Sequence, residues 1–202
     1  MTLTIDTTVE RRRSGVVSLG PFGRIAAMAR RIAQEGIHWP SAKYQRDPVL
    51  FAREVLGVQP WDKQVELLEA IRDHERVAVR SGHKVSKSHS LAIAALWFFS
   101  SFDDARVVCT CVTARQVDEI FYRECKKLHS KARMRLDGEP RETARAGIKS
   151  DDYREIVGFT AKEAEAVAGI SGANLLYLVD EASGVPDAIL EAIEGNRAGG
   201  AR

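Results

Sequence analysis

At 202 residues the chain can hold one domain with a substantial apolar core, and its 45% hydrophobic and 29% charged residues are those of a globular protein in water. A formal net charge of +2 singles out no partner class. No apolar run approaches the roughly 20 residues needed to span a membrane. The N-terminal Arg11, Arg12 and Arg13 precede no apolar signal core. Three cysteines (Cys109, Cys111, Cys125) form no disulfide framework and fit a reducing, cytosolic setting. Cys109 and Cys111 would share one face of a strand, and with no second pair at ligand spacing they read as small buried residues rather than metal ligands.

The first 20 residues are polar, Thr-rich and basic, with no sustained period, and disorder is expected there. Ile25, Ala26, Met28, Ala29 and Ile32 recur at helical spacing from Phe22 to Glu35, and Gly36 is a plausible stop. Residues 1–40 are thus read as a tail plus an amphipathic helix, and residues 41–202 as the folded domain. Asp47-Pro48 supplies an N-cap carboxylate and a proline at the first helical position for a helix over Val49 to Leu56, ended by Gly57. A second helix carries Trp61, Val65, Leu67, Leu68 and Ile71 as an apolar face, with Asp62 as its expected cap.

Val77 and Val79 then alternate as a strand would, and Leu91 to Phe99 reads as a helix. Between them lies a turn ending in Lys87-Ser88. Strand, turn with Lys-Ser and helix is the plan of a phosphate-binding loop: backbone N–H groups hold phosphate oxygens, the lysine neutralises charge, and the hydroxyl reaches Mg²⁺. The loop spans Ser81, Gly82, His83, Lys84, Val85, Ser86, Lys87, Ser88 and His89. Ser81 and Ser86 stand where G-x-x-x-x-G-K-[ST] has glycines, and a side chain at position 86 restricts the backbone where glycine allows close approach.

Ala105 to Thr113 is an apolar run suited to a buried parallel strand, and Thr113 to Gln116 caps a helix reaching about Ser130. Arg123 to Lys149 holds nine Lys/Arg against four Asp/Glu and reads as an exposed connection after that helix. Such a charge run is usually a solvated face, although clustered cations can also follow a nucleic-acid backbone. The histidines, His83, His89 and His129 among them, have no convincing partners by sequence, and Tyr153 and Tyr177 read as packing residues.

A further strand covers Tyr153 to Thr160, and Lys162 to Ala168 is a short helix or loop. Leu175 to Val179 is the strongest strand and ends in Asp180-Glu181; a helix from Pro186 to Gly195-Asn196 follows. Strands alternating with helices indicate an α/β domain with a largely parallel sheet. An apolar strand ending in Asp-Glu is the Walker B pattern, the complement of a Walker A loop, with Asp serving Mg²⁺ and Glu the attacking water.

In that order, Pro60-Trp61-x-x-Gln64, the Val77 to Ser88 segment, Thr113-Ala-Arg-Gln-Val117 and Leu175 to Ser183 resemble the ATPase half of a tailed-phage terminase large subunit, over about Asp47 to Asn196. The resemblance implies a three-layer P-loop NTPase of the additional-strand, catalytic-Glu branch, with ATP and Mg²⁺ as cofactors. It implies Lys87 on the β/γ-phosphates, Ser88 and Asp180 at the metal, Glu181 as the base, and Gln64 in the place of an adenine-reading residue. Lys84 or Arg80 would supply the cation that such motors require in the transition state. It further implies double-stranded viral DNA, a small terminase subunit and a portal protein as partners, a homo-oligomeric ring, and the host cytoplasm as the setting.

The family's next strand and its nuclease domain are not recognisable here, so the sheet is expected to be incomplete at its C-terminal edge. Two further readings stand beside the packaging ATPase: a prophage remnant that binds nucleotide, DNA or terminase partners without turnover, and a helicase-like DNA translocase. The second of these would need another nucleotide-facing domain.

Overall fold

The computed structural model describes residues 38–80, 82, 86–141, 147–150, 153–160 and 169–197. The expected N-terminal tail and amphipathic helix, and the short element at Lys162 to Ala168, lie outside these residues.

Helix α1 (Pro48–Phe51) starts as its residues dictate, with the Asp47 carboxylate accepting the Leu50 N–H at 2.7 Å. It runs on as a π turn (Ala52–Leu56) that Gly57 ends in the left-handed conformation. Helix α2 (Asp62–Asp73) begins one residue earlier than Asp62 capping would require: Trp61 is the cap residue, and its N–H is taken by Gln64 Oε1 at 3.3 Å. Helix α3 (Lys87–Ser101) is apolar on every side, and Ala92 through Phe99 are buried. A helix of that composition is stable only as a central layer.

Strands β1 (Ala105–Cys111), β2 (Glu139–Arg141), β3 (Gly147–Lys149), β4 (Glu155–Thr160) and β5 (Asn174–Val179) form one sheet in the order β2-β3-β4-β1-β5. Strand β1 lies parallel to both β4 and β5, whereas β2 and β3 add antiparallel at the far side. The sheet is therefore mixed around a parallel centre.

Alternation along β1 divides the core. Val107, Cys109 and Cys111 join α3 and helix α4 (Arg123–Lys131) on one face, and Val108 joins Ile189 and Ile193 of helix α5 (Asp187–Arg197) on the other. Helix, sheet, helix makes three layers. Among the described residues no helix is long and apolar enough to cross a membrane.

Several expectations are corrected. Trp61, read as part of an apolar face, is 49% exposed, and Tyr153, read as a packing residue, is 72% exposed. His129, read as having no partner, places its Nε2 3.1 Å from Asp137 O. Val77 and Val79 lie in no strand: they are 38% and 55% exposed, and the segment has no partner in the five-stranded sheet. Alternation gives a strand only where a neighbour offers a hydrogen-bonding edge, and β5, which pairs with β1 alone among the described residues, does not meet it. Nor is Arg123 to Lys149 a bare connection. It holds α4 and the β2 and β3 strands, and Leu136 and Ile148 are buried in the core.

That hairpin is fastened by Arg154, a fully buried cation. Its guanidinium donates to Phe99 O at 3.0 Å and to the Asp137 carboxylate, and lies over the Phe99 ring. On β4, Gly158 admits the first turn after β1, because a Cβ there would come within 2.1 Å of Val117 Cγ1. Urea unfolding should show Arg154→Ala destabilised by about 2–4 kcal/mol, since it removes packing and leaves the Phe99 carbonyl unpaired. Asp137→Asn, at a half-exposed carboxylate, should cost under about 1 kcal/mol.

Candidate nucleotide site

Parallel strands open their carboxyl ends on one edge, where α/β domains place ligands. Asp180 and Glu181 leave β5 at that edge, and the Asp180 N–H still reaches Thr110 O of β1 at 3.0 Å. Glu181 turns sharply, with φ +57°, into a 3-10 turn (Ala182–Gly184). Lys87 and Ser88 form the first turn of α3, whose N-terminus opens at the same edge. Ser88 Oγ donates to Asp180 Oδ2 at 3.4 Å, joining residues 92 positions apart.

The turn after β1 completes the group. Gln116 lies on a π turn (Gln116–Tyr122), and its Nε2 donates to Glu181 Oε2 at 2.6 Å. Its Oε1 accepts both the backbone N–H and the hydroxyl of Thr113, each at 3.0 Å. The carboxylate of Glu181 is thereby oriented by a side chain that is itself held.

Beside it, His89 Nδ1 lies 3.1 Å from Glu124 Oε2, and Lys127 Nζ lies 3.2 Å from Glu124 Oε1. Burial raises the Glu124 pKa, but hydrogen bonds from His89 and Lys127 outweigh it and hold the carboxyl below its ordinary 4.5. Together these side chains line an open cleft of about 570 Å³. On the buried face of β1, Cys109 and Cys111 lie with sulfurs 3.9 Å apart, and burial pushes the Cys109 and Cys125 thiols well above their usual range.

Ser86, Lys87, Ser88, His89, Asp180 and Glu181 all border the cleft. Gly82 is exposed and does not line it. Ser81, His83, Lys84 and Val85 lie outside the described residues. Ser86 adopts φ +60°, ψ +33°, the left-handed form a glycine would take there, at a cost of about 1–2 kcal/mol for a side-chain-bearing residue. Gln64 is only 6% exposed and does not line the cleft.

The residues that sequence reasoning missed are Gln116, Glu124 and Lys127. Gln116 had a signal in the Thr113-x-x-Gln spacing of a capping box. Glu124 had none, because nothing in the chain marks its approach to His89.

The donor set suits a hard divalent cation: one hydroxyl and one carboxylate beside an open cleft leave the remaining positions to water and phosphate oxygens, as Mg²⁺ prefers. Among the described residues no group of three or more His, Cys, Asp or Glu forms an all-protein metal cage.

No family model matches the chain. It is similar to a protein described as "Probable terminase, large subunit" of Enterobacteria phage P7, with 29% identity over 162 residues. The similarity covers 76% of this chain and 33% of that protein, so the chain spans about a third of its relative's length. It supports the terminase large-subunit family.

The lowered Glu124 pKa fixes a sign. Folding holds that carboxyl below its unfolded value, so the stability it contributes is complete above pH 4.5 and is lost as pH falls through the folded value. Glu124→Gln should lower stability at neutral pH and flatten the stability profile as pH falls below 4.5 in urea titrations.

Proposed function

We propose that this chain is the ATP-binding and ATP-hydrolysing module of a phage DNA-packaging motor, the ATPase part of a terminase large subunit. The observation that carries the reading is the approach of Ser88 Oγ to Asp180 Oδ2 across the fold, with Glu181 at the next position. The named relative supports the motor assignment over other ATPases.

The first turn of α3 presents unpaired N–H groups and the Lys87 ammonium to the β- and γ-phosphates of ATP. Ser88 and Asp180 would hold Mg²⁺. When bound there, Mg²⁺ would neutralise phosphate charge and help align the γ-phosphoryl group. Glu181 takes a proton from the water whose oxygen attacks the terminal phosphorus. The bond from that phosphorus to the β-phosphate oxygen breaks, leaving ADP and inorganic phosphate. Gln116 fixes the Glu181 carboxylate for that transfer. Lys84 is the candidate cation for charge developing at the γ-phosphate, with Arg80 as the other.

Double-stranded viral DNA, the small terminase subunit, the portal protein and further copies in a ring belong to the same proposal, with the host cytoplasm as the setting. The cations of Arg123 to Lys149 provide the sequence-independent charge that such a track uses.

Phosphate release from Mg·ATP by the purified chain tests the reading. Lys87→Ala should cut turnover about 10²–10³-fold and weaken nucleotide binding. Glu181→Gln should cut turnover about 10²–10⁴-fold while ATP still binds. Unchanged turnover in both variants would discard the proposal.

A further inference from the structure

The side chain of Gln64 is spent inside the protein. Its Oε1 accepts the Trp61 N–H at 3.3 Å, and its Nε2 donates to Ser90 Oγ at 3.0 Å. Ser90 is buried, and its hydroxyl donates to the carbonyl of Ser86 at 3.1 Å. The same carbonyl accepts the Ser90 N–H at 3.0 Å, so Ser86 O is held twice by one residue. Ser86 is the left-handed residue from which α3 starts, immediately before Lys87.

We infer that Gln64 is a positioning residue for the phosphate loop: through Ser90 it pins the strained Ser86 carbonyl and so sets the first turn of α3 for phosphate, without contacting the base. The inference rests on the nucleotide-binding reading above and assigns Gln64 a role different from the one the family resemblance implies.

The chemistry of the relay is directional. An amide Nε2 can only donate, so the Ser90 oxygen receives that hydrogen and must turn its own towards an acceptor. The acceptor within reach is Ser86 O. Without Gln64, the hydroxyl loses the donor that holds it in this orientation, and the left-handed turn keeps one anchor where it had two. A glycine at position 86 would adopt the same backbone without strain. The relay therefore matters because a serine stands there.

This predicts a dependence on phosphate rather than on the base. Binding of Mg·ATP, Mg·GTP and Mg·tripolyphosphate would be measured by calorimetry for the wild type, Gln64→Ala, Ser86→Gly and the double variant, with circular dichroism confirming that each is folded. Gln64→Ala should weaken all three ligands by a similar factor, about tenfold. In the Ser86→Gly background the same change should cost about twofold or less, the signature of coupled sites. Ser90→Ala, which removes the middle hydroxyl, repeats the measurement if Gln64→Ala does not fold.

Loss of ATP alone, with tripolyphosphate binding intact, would overturn the inference in favour of base reading. An undiminished effect in the Ser86→Gly background would also overturn it. A wild-type chain that binds none of the three ligands would overturn the nucleotide reading itself, and the relay's role would fall with it.

Discussion

The site depends on where two chain reversals meet. Helix α3 is buried along its length against the parallel centre of the sheet, so its axis is fixed by apolar packing. Its N-terminus then opens at the edge where β5 delivers Asp180 and Glu181, and Ser88 Oγ comes within 3.4 Å of Asp180 Oδ2. No local preference creates this pairing. It follows from burial of Ala92 to Phe99 on one side of β1 and of Ile189 and Ile193 on the other.

Around that point the polar groups form a graded set. Thr113 holds Gln116, Gln116 holds Glu181, and Gln64 and Ser90 hold Ser86. Each relay reaches the cleft from a separate element: the turn after β1 in one case, α2 in the other. Positioning of this kind favours chemistry that needs fixed geometry more than a large apolar pocket. His89, Glu124 and Lys127 line the same cleft as a polar wall.

Much of this was legible in the chain, for physical reasons. Asp47-Pro48 carries its own start signal, Leu175 to Val179 is too apolar for anything but a buried strand, and Lys87-Ser88 and Asp180-Glu181 are polar groups at two chain positions that the fold brings to one cleft. The failures share a cause. Val77 and Val79 alternate as a strand does, but pairing needs a neighbouring edge, which is a tertiary fact. Arg123 to Lys149 looks like an exposed connection by charge, yet Leu136, Ile148 and the contact of Asp137 with the buried Arg154 draw it into the sheet layer. Gln64 was assigned by resemblance to the base; its burial and its Ser90 partner are visible only in three dimensions.

The central claim is that Ser88 and Asp180 act as one metal-holding unit. Its most direct test is a double-mutant cycle on the Mg²⁺ dependence of ATP affinity, with Ser88→Ala, Asp180→Asn and the double variant compared with the wild type by calorimetry. The account predicts that either single change removes most of the gain in affinity on adding Mg²⁺ and that the double variant is little worse, a coupling of about 1–3 kcal/mol. Full Mg²⁺ dependence in both single variants, or strictly additive losses, would contradict it.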